Sequence, residues 1–202
     1  MKKIIFTILT GLYLIPMAMS QGYDIGDKAT DFELKNVDET HVSLSDYEDE
    51  EGVILVFTCN HCPYAKAYEQ RIIELDKKFA SKGFPVVAIQ PNDPELVEED
   101  SFENMQKRAK EKDYSFPYLI DEKQEVYKAY GATHTPHLYI LENNNGDFIV
   151  QYIGTIDDNY KDEDEVEKRY AADAVKAMLE NKTPNPNTTK AIGCTIKDKD
   201  KK

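Results

Sequence analysis

The chain has 202 residues, 41% of them hydrophobic and 31% charged, and its 38 acidic against 25 basic side chains give a formal net charge of −13. That length suits one domain with its own core, and the acidity argues against nucleic acid or anionic membrane surfaces as partners, since both repel it. Three cysteines are an odd number and too few for a disulfide-stapled fold.

At the N-terminus, Lys2 and Lys3 precede an apolar stretch from Ile4 to about Ile15, and Ala18-Met19-Ser20 places small residues where a signal peptidase reads. The stretch is shorter than the roughly 20 residues of a membrane span, and Pro16 interrupts it. Residues 1–20 are therefore expected to be a signal peptide cut near Ser20. The mature chain would be exported, periplasmic or secreted, and would work in an oxidising compartment.

Alternating elements follow, without internal repeats. Asp31 to Leu34 and His41 to Leu44 alternate polar with apolar and predict a small hairpin. Val53 to Thr58 is nearly continuous apolar and β-branched, as a strand buried on both faces should be. From Pro63, the positions Tyr64, Tyr68, Ile72, Leu75 and Phe79 recur at helical spacing up to Gly83. Pro85 to Gln90 reads as a second buried strand, Leu96 to Lys112 as a helix, Phe116 to Ile120 as a short strand and Glu122 to Tyr130 as a helix. His137 to Leu141 and Asp147 to Ile153 flank Asn143-Asn144-Asn145-Gly146, a strong hairpin signal. Glu165 to Leu179 predicts an amphipathic helix, after which a tail spanning 182–202 carries one apolar patch, Ala191 to Ile196. Strands joined by helices predict an α/β domain over 21–181 with three layers.

Cys59-Asn60-His61-Cys62-Pro63 lies where the buried strand gives way to the helix. Two cysteines two residues apart at a helix N-terminus are what a reversible dithiol site needs, because unpaired N–H groups and the dipole end stabilise a thiolate. Zinc sites share this spacing, but no second CxxC or His-rich partner accompanies it. His61 stands between the cysteines, where it can stabilise the Cys59 thiolate and make the disulfide more oxidising, within the range from about −270 to about −120 mV that such pairs span.

Strand, CxxC, helix, strand, helical insertion, then Thr135-Pro136 before a hairpin and a terminal helix resembles the thioredoxin fold, with its central mixed β-sheet. The N-terminal hairpin and the insertion are similar to its redoxin branch, which includes peroxiredoxins and TlpA/ResA-type thiol-disulfide proteins. Phe57 to Tyr64, Gln90-Pro91-Asn92-Asp93 and Gly193-Cys194-Thr195-Ile196-Lys197 resemble a peroxiredoxin-like, AhpC/TSA-related group with a CxxC. The resemblance implies that Cys59 is the exposed attacking cysteine and Cys62 the more buried resolving one. It also implies that Pro136 is cis and that Thr135 offers backbone groups to an extended substrate. The expected activity is thiol-disulfide exchange with protein substrates and a redox partner protein, without a dissolved cofactor or a metal.

Departures from the family pattern are also visible. Thr58 replaces the tryptophan common before the CxxC, and Val53 stands where thioredoxins carry a buried carboxylate, so the proton acceptor for Cys62 is unassigned. A peroxidase alternative meets Cys59 where peroxiredoxins have threonine and Leu55 where they have proline, with Arg108 and Arg169 on predicted helices. A copper- or zinc-binding alternative would join Cys59 and Cys62 with His134 or His137. Cys194 reads either as a third redox cysteine or as an inert apolar residue. Its neighbours Ile192 and Ile196, worth roughly 1.5–3 kcal/mol each on burial, suggest that the tail packs on the domain.

Overall fold

The computed structural model describes residues 22–201; the proposed signal peptide lies outside the described residues. Strands β1 (Glu33–Asn36) and β2 (His41–Ser43) form the expected antiparallel hairpin. β3 (Gly52–Phe57) leads to helix α1 (Pro63–Phe79), β4 (Val86–Gln90), α2 (Phe102–Glu111), β5 (Tyr118–Ile120) and α3 (Val126–Tyr130). Then come β6 (His134–Thr135), β7 (His137–Asn144), β8 (Asp147–Gly154), α4 (Tyr170–Leu179) and β9 (Cys194–Thr195).

Seven strands form one mixed sheet in the order β2-β1-β5-β4-β3-β7-β8, with β3, β4 and β5 parallel and β7 and β8 antiparallel to their neighbours. Every residue of β3 and β4 is buried, which explains why both are apolar apart from Gln90 at the end of β4. Side chains alternate across the sheet. Ile54 and Val56 join the core formed with α1, α2 and α4, whereas Val53, Leu55 and Phe57 join the core under α3 and the N-terminal segment. The β7–β8 turn rests on Asn145 and Gly146 at φ 56° and 89°, both left-handed as a two-residue hairpin turn requires.

Three helices are shorter than their apolar spacing predicts, and polar side chains explain each case. α2 starts at Phe102, not Leu96, because Ser101 is extended and Asp100 turns its carboxylate towards the CxxC. α3 starts at Val126, not Glu122: Gln124 is left-handed at φ 59°, and Asp121 accepts the N–H groups of Glu125 and Tyr127. α4 starts at Tyr170, not Glu165. The side chains of Asp158, Asn159 and Asp162 capture the N–H groups of Glu167, Lys161 and Asp164, in competition with the helix.

Two ion pairs fasten α1. Glu69 accepts two hydrogen bonds from Arg108 of α2, at 2.6 and 2.9 Å, and one from the Tyr114 hydroxyl. On the opposite side, Arg71 donates to Asp157 at 2.7 Å and to the Asn159 carbonyl, with both side chains of the pair buried. Tyr68 also donates to Asp157. Removing one partner of a buried pair leaves an uncompensated charge, so Arg71→Ala should destabilise the chain by about 3–5 kcal/mol, read from urea unfolding. Arg71→Ala/Asp157→Asn should recover part of that loss.

Candidate active site

β3 carries the chain to Thr58, and α1 begins at Pro63 with Cys62 as its N-cap at φ −66° and ψ 125°. Proline suits this first position, where its missing N–H is not needed. The two cysteines are thereby held between a fixed strand end and a fixed helix start. Cys59 is 6% exposed and Cys62 fully buried. Cys59 is thus not the exposed cysteine that the resemblance implies.

The chain's own tail lies against the same site. β9 pairs antiparallel with β6, with Thr135 opposite Cys194 and His134 opposite Thr195. The tail is held further on, where the Lys197 carbonyl accepts from the Asp93 N–H and Gln124 Nε2 and its N–H donates to Asn92 Oδ1. Ile196 is buried. The backbone of Thr135, expected to be open to an extended substrate, is therefore already engaged.

Thr135 touches both cysteines. Its hydroxyl lies 3.1 Å from Cys59 Sγ, and its carbonyl lies 3.2 Å from Cys62 Sγ, within reach of a thiol proton. The Thr135–Pro136 bond is cis. Cys194 Sγ is 2.6 Å from Cys62 Sγ, so three sulfurs share one small region together with Ala65 and Tyr64.

The acidity of each sulfur depends on its neighbours. The Cys59 thiol donates towards Cys62 and, with lesser help from the Cys194 thiol and the amides of Ala65 and Cys194, draws Cys62 down to about 4 against its burial. Cys59 is pushed well above the usual thiol range by that same donation, by burial and by the Asp100 carboxylate. If the proton moves across, Cys62 donates to the Thr135 carbonyl while the Thr135 hydroxyl stabilises a thiolate on Cys59.

His61 has a closer partner than Cys59. Its Nδ1 lies 2.6 Å from Asp100 Oδ2 and 3.5 Å from Cys59 Sγ. Asp100 is fully buried and also accepts from the backbone N–H groups of Asn60 and His61 and from Asn92 Nδ2. The same ring nitrogen thus faces a buried carboxylate as well as Cys59, and that carboxylate opposes the field an imidazolium would exert on the sulfur. Asp100 lies within the helix expected from Leu96 to Lys112, and no motif in the sequence marks it as a site residue. The nearest signal was the Gln90-Pro91-Asn92-Asp93 motif, whose Asn92 joins Asp100 to the tail.

The ligand set of the metal alternative is not assembled. Among the described residues, the one cluster of potential ligands is Cys59, His61 and Asp100, and its members are already hydrogen-bonded to one another. His134 Nδ1 faces the Thr133 hydroxyl, and His137 accepts from the Thr133 N–H while its ring packs on Tyr139. Burial lowers His137 to about 4, leaving it neutral. Arg108 and Arg169 are engaged by Glu69 and Glu163.

The AhpC/TSA family matches residues 25–158. The chain belongs to that family, among its CxxC thiol-disulfide oxidoreductases of the thioredoxin fold. It is 33% identical over 140 residues to the thiol-disulfide oxidoreductase ResA of Oceanobacillus iheyensis, covering 67% of this chain and 69% of the relative. A crystal structure of an uncharacterised conserved protein from Geobacillus kaustophilus superposes with a TM-score of 0.81 at 39% identity, covering 87% of this chain and 93% of that one. A thiol:disulfide interchange protein DsbE from Chlorobium tepidum, titled as putative, gives a TM-score of 0.52 at 26% identity, over 62% of this chain and 82% of that one.

The charge distribution predicts that thiolate absorbance of the reduced oxidoreductase persists on acidification and falls only near pH 4, because a lowered thiol pKa keeps that sulfur ionised above it. Cys62→Ser should abolish this acidic transition and leave Cys59 titrating at higher pH.

Proposed function

We propose that this chain is an exported thiol-disulfide oxidoreductase whose Cys59–Cys62 pair exchanges with disulfides of protein substrates and is reset by a redox partner protein. The observation that carries this reading is the placing of Cys59 and Cys62 against the hydroxyl and carbonyl of one residue, Thr135. That arrangement lets a proton pass between the sulfurs as nucleophilic character passes the other way.

In the reductive direction, Cys59 transfers its proton to Cys62 and attacks a substrate disulfide. One substrate sulfur leaves as a thiolate and the other is held in a mixed disulfide. Cys62, deprotonated again, attacks Cys59 Sγ, releases the second substrate thiolate and closes Cys59–Cys62. The oxidative direction is the same sequence reversed. Of the two residues, Cys59 keeps a small exposure while Cys62 has none, which supports Cys59 as the one to meet the substrate. Export rests on Lys2, Lys3, the apolar stretch after them and Ala18-Met19-Ser20. No helix among the described residues is long and apolar enough to cross a membrane.

A thiol peroxidase reading draws on the family itself. Against it, Leu55 and Cys59 replace the proline and threonine of the peroxidatic pattern, and both candidate arginines face carboxylates instead of sulfur.

Cys59→Ser should abolish exchange, whereas Cys62→Ser should accumulate mixed disulfides through Cys59, read by non-reducing electrophoresis with a reduced or disulfide-bonded protein substrate. Trapping in Cys59→Ser instead would reverse the roles. Turnover of hydrogen peroxide exceeding that of a protein disulfide in the same assay would favour the peroxidase.

A further inference from the structure

The described tail does not dangle, and its docking is specific. β9 is a two-residue extended segment laid against β6, the strand that contacts both active-site sulfurs, and it brings its own cysteine with it. Gly193 makes this approach possible, since a Cβ there would collide with the Thr135 carbonyl. The arrangement is that of an extended cysteine-bearing peptide added to a free strand edge, the way strands recruit peptides generally. Here the peptide belongs to the same chain.

We propose that Cys194 is a third catalytic cysteine: β9 occupies the substrate edge of β6 as an internal substrate, and Cys194 takes the disulfide over from Cys59–Cys62 as a Cys62–Cys194 bond. This rests on the thiol-disulfide reading above. The step is an isomerisation. With Cys59–Cys62 oxidised, Cys194 gives up its proton and attacks Cys62 Sγ, 2.6 Å away. The Cys62–Cys194 bond forms and the Cys59–Cys62 bond breaks. The electron pair leaves on Cys59, where the Thr135 hydroxyl lies within donating reach at 3.1 Å and a proton is then taken up. One disulfide and one thiol stand on each side of the step, so no further oxidant is consumed.

In the reduced chain the Cys194 thiol keeps its proton. Burial and the neighbouring Cys62 sulfur push the Cys194 thiol up to about 11. Once Cys62 lies in a disulfide, its negative charge is gone and that second restraint disappears. The product state ties the tail across β6 and returns Cys59 as a free thiol. Reduction of Cys62–Cys194 by an external dithiol would return the three free thiols and complete the cycle.

The test oxidises the purified full chain with glutathione disulfide and maps its links by non-reducing peptide mass spectrometry, for the unaltered chain, Cys194→Ser and Gly193→Val. The unaltered chain should end with Cys62–Cys194 as its main link and Cys59 open to alkylation. Cys194→Ser should stop at Cys59–Cys62. Gly193→Val keeps all three thiols but should lose the Cys62–Cys194 link and hold Cys59–Cys62 instead. If Gly193→Val does not fold, the other two proteins decide. An unaltered chain linked only as Cys59–Cys62, with Cys194 alkylated at every time point, would overturn the relay, while Cys194→Ser that still consumes glutathione disulfide would leave the exchange reading intact. If no internal disulfide forms in any of the three, relay and exchange fall together.

Discussion

A buried carboxylate organises this site. Taking a charge out of water costs several kcal/mol unless donors replace the lost hydration, and Asp100 is fully buried with four donors around it. Two are the backbone amides of the turn between the cysteines, a third is the His61 ring and the fourth is Asn92. Because Asn92 also accepts from the tail at Lys197, one carboxylate couples the CxxC turn, the insertion before α2 and the C-terminal segment. None of the three can shift alone without leaving a buried polar group unpaired.

That coupling changes how the dithiol works. A histidine between two cysteines would ordinarily be read as the charge that sets their potential. With Asp100 at 2.6 Å, His61 is held as half of a pair, and hydrogen bonds from the Cys59 and Cys194 thiols and from the amides of Ala65 and Cys194 lower the Cys62 thiol. Thr135 then supplies what the absent tryptophan and the missing carboxylate at Val53 do not: a hydroxyl for one sulfur and a carbonyl for the other. The same residue pairs with the tail, so chemistry and access meet at a single backbone position.

The acidic surface is not merely solvating. Asp158, Asn159 and Asp162 spend their side chains on nearby amides and hold residues 158–168 out of helix, which places Asp157 against Arg71. The net charge of −13 measures solubility and repulsion, but the position of individual carboxylates decides where α2, α3 and α4 begin.

The sequence by itself determined the buried strands β3 and β4, the CxxC at the strand-to-helix junction and the β7–β8 hairpin. Each rests on a local rule: apolar runs for β3 and β4, the allowed φ of Asn145 and Gly146, and proline in the first helical turn. The helix starts were overrun because apolar spacing carries no information about which amide a nearby Asp or Asn side chain will capture. Only the tertiary structure brought Asp100 to His61 and Cys194 to Cys62. These contacts span 39 and 132 residues along the chain, and nothing in local periodicity encodes a meeting over that distance. It is created when the sheet places β6 beside the end of β3, and when burial of Ile196 and the Asn92 and Gln124 hydrogen bonds close the tail over both.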